Sequence, residues 1–354
     1  MTCPAGWPAS SPRGVYDPGW STHVRPATGG PRAAAPAVTT PFGRLRLIAN
    51  PRAGRGTVAG ALETLSRGLS EQGVDFDVVE TTATGHATRA AREALAEGVR
   101  YLCAVGGDGT VHEVVNGMVE WTRPSPGAAL EPRPVDREAV LAVAAAGSGS
   151  DFARTFGLDR KPEVLARRFA TANVMPVDIG VVHFVGSDGN PQSRVFVNIA
   201  EVGYGAEVVR RAARMPRFLG RARYLFAAWG AIAALERQET PVTIGKEEKT
   251  LGVVELVVAN GQFFGGGMKV APRALPDDNR FNVLVFTGQR SQVFLLTSKM
   301  FRGEHLPHPE IVERMAPSVA IAPPKRLLVE ADGELLGTTP ARFSLLHRAV
   351  KLKI

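Results

Sequence analysis

Residues 104–117 read AVGGDGTVHEVVNG. Gly106, Gly107 and Gly109 crowd around Asp108, and an apolar-periodic run follows. Glycines at that spacing allow a tight turn and close backbone approach, and a helix starting there aims free N–H groups and its dipole at any bound anion. A phosphate suits such a place, although a strand-to-helix turn with a purely structural role has the same composition. Asp108 argues for chemistry, because a carboxylate beside a phosphate cradle repels the ligand unless a cation or a proton-transfer role compensates. Thr110 and Glu113 have the spacing of a capping box, which predicts that the helix begins at Thr110. Far downstream, Asp332 and Glu334 lie in ADGELL (331–336), which by itself reads as a β-turn with solvated acids.

The elements needed to position these groups are legible around them. RLRLIAN (44–50) reads as a strand, NPRAGRG as a glycine turn, and Val58–Leu69 as a helix ending near Gly73. A strand over 75–81, an alanine-rich helix over 85–98 and a strand over 101–105 follow. Alternating β and α with short connections predicts a doubly wound parallel sheet, in which ligands bind beyond the carboxyl ends of the strands. That places Asp108 in the crevice. From about residue 174 many short alternating runs predict an antiparallel β-sandwich. The expected organisation is an extension over 1–42, rich in Pro, Gly, Ala and Ser and outside the fold, a nucleotide-binding α/β domain over 43–173, and a β-sandwich domain over 174–354 whose last strands return to the first domain. The four prolines of 122–138 predict a surface insertion.

Beyond the single loop, the chain carries in order NPRAG (50–54), GGDGTVHEVVNG (106–117), GSGSDFARTFGL (147–158), VNIAEVGYGAEV (197–208), ANGQFFGGGMKVAPRALPDD (259–278) and ADGELL (331–336). This succession resembles the lipid-kinase family of soluble bacterial diacylglycerol kinases and sphingosine kinases, shared more distantly with NAD kinases and phosphofructokinases. The resemblance implies an ATP site lined by Asn50, Gly54, Gly106, Gly107, Gly109, Thr110 and Ser148, with Arg55 where relatives often place a basic residue near the phosphates. It implies an active site between the domains, to which Asp332 and Glu334 return. Asp332 is then the expected general base, and Asp108 and Glu334 the carboxylates that hold Mg²⁺ through water. In sphingosine kinases the aspartate matching Asp108 is the base instead. The chemistry is consistent, since phosphoryl transfer needs positioning, charge neutralisation and a proton acceptor more than covalent work.

The implied reaction is transfer of the γ-phosphoryl group of ATP to a lipid hydroxyl, diacylglycerol first, with a sphingoid base or ceramide, NAD, or no substrate at all (a lipid- or nucleotide-binding regulator) as the alternatives. Several positions depart from the family pattern. Ala145 replaces a proline, Ser148 a threonine and Ser150 an asparagine. Gly85-His86-Ala87-Thr88 stands where the diacylglycerol kinases have an aspartate, so the metal site has one carboxylate fewer, and His86 reads as a surface residue. Asp277-Asp278-Asn279 replaces a DDG turn that holds a further Mg²⁺ in some relatives, with Asp278 the candidate ligand.

Composition sets the remaining expectations. The 354 residues carry a formal net charge of +8, which fits acidic partners or a merely arginine-rich composition. Cys3 and Cys103 show no metal-ligand spacing. The opening residues lack the apolar core of a secretory signal, and the longest apolar run, Tyr224–Leu235, is short of the ~20 residues a membrane span requires. A cytoplasmic protein that meets the membrane peripherally is expected, with a lipid substrate, no nucleic acid, and homodimerisation left open. Arg210, Arg214, Arg217 and Arg221, followed by Phe218, Leu225, Trp229 and Ile232, make a basic and apolar helical region suited to anionic lipid, interrupted by Pro216 and Gly220.

Overall fold

The computed structural model describes residues 24–25, 40–123, 130–147, 149–216, 219, 222–234 and 236–354. The first half runs β1 (Val24–Arg25), β2 (Leu45–Ala49), α1 (Thr57–Glu71), β3 (Phe76–Glu80), α2 (His86–Ala96), β4 (Tyr101–Gly106), α3 (Asp108–Met118), β5 (Val119–Thr122), β6 (Glu131–Pro134), β7 (Val140–Ala145), α4 (Asp151–Thr155) and α5 (Pro162–Phe169). The second half runs β8 (Val174–Val185), β9 (Pro191–Phe196), β10 (Ile199–Gly203), α6 (Tyr204–Ala213), α7 (Ala222–Ala234), β11 (Gln238–Ile244), β12 (Glu247–Val253), β13 (Glu255–Ala259), β14 (Phe281–Phe286), α8 (Arg290–Arg302), β15 (Ile311–Ala316), β16 (Ser318–Ile321), β17 (Leu328–Ala331) and β18 (Glu334–Lys353).

Strands β3, β2, β4 and β7 lie side by side and parallel, in that order. β2, β4 and β7 are buried at every position, as near-continuous apolar strands covered on both faces should be. Helices α1 and α5 close one face over Leu47, Tyr101 and Val105. On the other face α2 and α3 pack over Ile48, Leu102 and Val143, and this core continues without a break into Val177, Ile179, Val195 and Leu352 of the second half. Antiparallel strands follow β8, and a second core fills the sandwich around Phe196, Phe281 and Phe343. The architecture is thus the expected α/β domain followed by a β-sandwich.

The two halves share one sheet. β18 pairs with β17, β16 and β8, then sets Lys351 and Leu352 parallel to Val140 and Leu141 of β7. The last strand therefore extends the parallel sheet beyond β7.

Three local expectations change. Residues 1–42 do not lie wholly outside the fold, because Val24–Arg25 pairs antiparallel with Val79 and Val78 of β3, and the Phe42 ring packs edge-on to Tyr101 at 5.2 Å. Within 122–138, β6 pairs with β5, which ends at Thr122, as a small two-stranded sheet of their own. The basic and apolar region is two helices, not one face: α6 ends at Ala213, ahead of Pro216, and Glu207 ties down both Arg210 and Arg211. Arg217, Phe218 and Arg221 lie outside the described residues, as does the side chain of Leu225.

Candidate active site

The glycine loops meet at the carboxyl ends of β2, β4 and β7. Asn50 donates its backbone N–H to Val105 O (3.0 Å), and its Oδ1 accepts the Arg52 N–H (3.1 Å), so the chain turns sharply from β2 onto the neighbouring strand. A single 3₁₀ turn, Ala53–Gly56, contains Gly54 and the backbone of Arg55. At Gly54 (φ 60°) a Cβ would stand 2.3 Å from Ala146 O, and at Gly147 one would stand 2.5 Å from Gly107 Cα. The three loops therefore touch backbone to backbone, and this is the physical need for glycine here. Ser148, between them in sequence, lies outside the described residues.

Helix α3 begins at Asp108, not Thr110, with Gly107 as its N-cap and no side chain capping it. The anticipated capping box does not form. Glu113 instead accepts the Ala87 N–H (3.1 Å) at the start of α2, whose N-cap, Gly85, brings no side chain of its own. Thr110 is buried and its Oγ1 has no partner among the described residues. Thr110 and Val111 donate their N–H groups to Gly107 O (2.9 and 3.2 Å), so among the described residues it is the Asp108 and Gly109 amides that are left for an external acceptor at the positive end of the helix dipole. Asp108 Oδ1 accepts the Phe152 N–H (3.0 Å) at the start of α4, and no hydrogen bond reaches its Oδ2 among the described residues. Ser150, where the family pattern has asparagine, is the N-cap of α4 with φ 57°, a left-handed conformation that asparagine tolerates better than serine.

α4 also fastens the two halves together. Asp151 Oδ2 accepts the Gly266 N–H (2.7 Å), Thr155 Oγ1 accepts the Gln262 N–H (3.1 Å), and Thr155 Oγ1 meets Asn198 Oδ1 at 3.3 Å.

Asp332 and Glu334 come to this junction from the far half. Asp332 follows β17 in a left-handed turn (φ 51°) with Gly333. Its carboxylate is buried and fully engaged. Oδ1 accepts the Asn198 and Ile199 N–H groups (2.9 and 3.2 Å), and Oδ2 accepts the Val197 N–H (2.8 Å) and stands 2.8 Å from His112 Nδ1. His112 lies one turn beyond Asp108 on α3, and its Nε2 is 3.8 Å from Glu334 Oε2. Burial alone lowers the proton affinity of this imidazole. The hydrogen bond to Asp332 and the charges of Asp332 and Glu334 outweigh that, and its pKa is raised. A single imidazole thus joins the α3 loop to the turn carrying Asp332 and Glu334. Periodicity and spacing did not single it out, since its partner is 220 residues away.

A cavity of about 340 Å³ adjoins the loops between α1 and α5, lined by Ala61, Leu65, Val105, Pro162 and Leu165, with Arg160 beside it. Arg160 Nη2 donates to Gly147 O (2.8 Å), which holds the guanidinium against the third loop. No motif pointed to this space.

Other anticipated residues lie apart. His86 is buried, not at the surface, with Nδ1 accepting the Thr82 N–H (3.1 Å) and Nε2 without a partner among the described residues; burial lowers its pKa. The Asp277–Asn279 turn keeps its shape, with Asn279 at φ 59°. It is held from inside by Asp178, whose carboxylate accepts N–H groups from Asn279 and Arg348 (both 2.7 Å) and meets His347 Nδ1 at 2.7 Å. Asp278 Oδ1 accepts the Arg280 N–H (2.9 Å). Among the described residues no three His, Cys, Asp or Glu side chains gather as a metal cage. The carboxylate oxygen left open at the glycine loops is Asp108 Oδ2, which no hydrogen bond reaches among the described residues.

Both halves of the chain are similar to known proteins. Residues 44–182 match the family model described as diacylglycerol kinase catalytic domain, and residues 198–354 match the YegS C-terminal NAD kinase beta sandwich-like domain. A diacylglycerol kinase of Bacillus subtilis (strain 168) is 27% identical over 310 residues, covering 87% of this chain and 95% of the relative. A probable YegS-like lipid kinase of Pseudomonas savastanoi pv. phaseolicola is 28% identical over 288 residues, covering 80% and 85%. Among solved structures, a diacylglycerol kinase from Bacillus anthracis str. Sterne superposes with a TM-score of 0.63 at 23% identity, covering 89% of this chain and 97% of that one, a likeness of fold.

Proposed function

We propose that this chain, whose residues 44–182 and 198–354 match the models for a diacylglycerol kinase catalytic domain and a YegS-type C-terminal domain, transfers the γ-phosphoryl group of ATP to a lipid hydroxyl, with diacylglycerol as acceptor and Mg²⁺ as cofactor. The observation that carries the reading is the contact of the buried His112 imidazole, one helical turn beyond Asp108 on α3, with Asp332 and its approach to Glu334.

The chain's own groups divide the work. The backbone of Gly54, Gly106, Gly107 and Gly109 lets phosphate oxygens approach the start of α3, whose free amides receive them. Asn50 and Thr110 frame that cradle, and Arg55 and Ser148 border it in sequence. The cavity beside Arg160 has the size and apolar walls for a nucleotide base. Mg²⁺, when bound, neutralises phosphate charge, and Asp108 with Glu334 would hold its water shell.

Asp332 accepts four donors, so an acceptor hydroxyl can reach it only by displacing one of them. We assign the proton acceptor to the Asp332–His112 pair: Asp332 holds the Nδ1–H tautomer, and Nε2, on the Glu334 side, takes the hydroxyl proton. A pKa raised above the ordinary histidine value strengthens that base.

The test is purified protein with Mg²⁺ and labelled ATP, offered diacylglycerol, a sphingoid base, ceramide and NAD in mixed micelles. Label in phosphatidic acid supports the reading. Label in NAD alone, or in no acceptor, overturns it.

A further inference from the structure

Two neighbouring helices of the second half present an unusual surface. On α7, Ala222, Phe226 and Trp229 follow i, i+4, i+7 spacing along the outward face, with Phe226 56% and Trp229 57% exposed, while Ala227 and Ala231 turn inward. Tyr224, half-exposed, stacks its ring under the Arg223 guanidinium at 4.9 Å. α8 lies against α7 and exposes Phe301 (54%) beside Lys299 and Arg302. Neither helix contains an Asp or Glu, and their charged residues are Arg223, Arg290, Lys299 and Arg302. Arg302 shares its charge with Glu304 at 2.8 Å.

Large aromatic side chains kept in water are unfavourable unless something covers them, and contiguous exposed apolar surface marks an interaction site. The occupant is indicated by what surrounds it. Aromatic rings with amphipathic edges and flanking cations, without a single carboxylate on either helix, match the headgroup region of an anionic bilayer in both polarity and sign of charge. The position fits as well. Val197–Ile199, whose amides hold Asp332, lead through β10 directly into α6 and then α7.

We propose that the α7–α8 face, led by Phe226, Trp229 and Phe301, seats the protein on anionic lipid bilayers; the choice of a bilayer as partner rests on the lipid-kinase reading. Docking there buries the aromatic rings at the headgroup boundary and brings the Asp332 turn to the source of a membrane-borne acceptor.

The test is co-sedimentation of the full chain with phosphatidylcholine vesicles, with and without phosphatidylglycerol, for the wild type, for Phe226→Ser/Trp229→Ser and for Lys299→Glu. Wild-type protein should bind the phosphatidylglycerol vesicles, less so as salt rises, and the double substitution should lower the bound fraction roughly tenfold or more. Lys299→Glu should weaken binding in the same direction with the apolar face intact, which keeps the test decisive if the double variant melts early. Both variants should keep wild-type transfer to a short-chain diacylglycerol dissolved in water. Equal binding by all three proteins overturns the proposal, and so does a self-associated wild type that ignores vesicles and is dispersed by the double substitution, which would assign the face to a second copy. Vesicle binding without phosphorylation of any acceptor supports the docking face and removes the kinase reading. Phosphorylation of the soluble acceptor without vesicle binding does the reverse.

Discussion

Three carboxyl groups outside the proposed reaction sit buried in one patch of the sandwich, and they make stability depend on pH in a predictable direction. Glu201 on β10 lies directly across from Glu330 on β17, and Glu255 on the adjoining β13 accepts the Gly205 N–H at 2.7 Å. Each keeps one buried oxygen without a partner among the described residues. Burial pushes the Glu201 pKa up to about 8, and burial together with the neighbouring carboxylates raises Glu255 and Glu330 as well. A carboxyl whose folded pKa exceeds its unfolded one stabilises the fold while both states are protonated. That stability is lost as pH climbs from the unfolded value to the folded one, at about 1.4 kcal/mol per pH unit for each group. For Glu201 the window runs from about 4.5 to about 8, and the loss across it is up to about 5 kcal/mol. The perturbation is Glu201→Gln, which keeps the shape and removes the titration. Urea unfolding from about pH 5.5 to about pH 7.5 should show wild-type stability falling steeply, and the variant falling less steeply by up to about 1.4 kcal/mol per unit. The difference between the two proteins isolates this group from His112, whose raised pKa has the same sign. Lys353 acts oppositely and higher: burial lowers it to about 8, so it adds stability as pH rises from about 8 towards its unfolded value. Parallel curves for wild type and variant would refute the reasoning, for they would mean that Glu201 is not protonated in the folded state.

Other outcomes follow from the site. Asp332→Asn and His112→Gln should each lower kcat by ~100-fold or more, and the double variant should be little worse than either, because the two act as one unit; additive losses, or near-normal turnover of Asp332→Asn, would move the proton acceptor to Asp108. The wild-type kcat/KM should rise with pH through a midpoint above the ordinary histidine value of about 6.5, and that limb should vanish in His112→Gln. Gly147→Ala meets Gly107 Cα at 2.5 Å with no flexible side chain to yield, so it should cost about 1–3 kcal/mol of stability and raise the KM for ATP. Arg160→Ala should raise the KM for ATP several-fold with kcat nearly unchanged, as measured by steady-state kinetics; an unchanged KM would remove the adjoining cavity from the nucleotide site.

Much of this was readable before any coordinates, for identifiable reasons. The β2–α1–β3–α2–β4 succession is written in local periodicity, and central parallel strands announce themselves by unbroken apolar runs. The glycine loops were legible because backbone contact leaves few other residues able to stand there. What depends on distant partners was not. His112 looked like one residue of a helix until Asp332 arrived beside it, and Glu113, spaced to cap its own helix, caps α2 instead. His86 looked exposed because a helix N-terminus usually is, whereas here the Thr82 turn folds over it. The four arginines after Glu207 follow helical spacing on paper, but Pro216 ends α6 before that spacing can build one face. Nor could Glu201, Glu255 and Glu330 be seen as a group, since only the strand register brings them together.

The course of β18 has a consequence for how such a chain is made. Glu138 and Lys351 form an ion pair across 213 residues of sequence, and the strand beside β7 is supplied only at Lys351–Leu352. During translation the parallel sheet of the first half must therefore wait, its β7 edge bare, while the whole sandwich is synthesised. A nascent chain stalled or cut anywhere in that interval presents an apolar, unpaired border, a target for holding chaperones or for coalescence with other unfinished chains. Glu334 opens the same closing strand and Asp332 precedes it by two residues, so the protein gains its proposed chemistry and its finished sheet almost together, and a truncated product has neither.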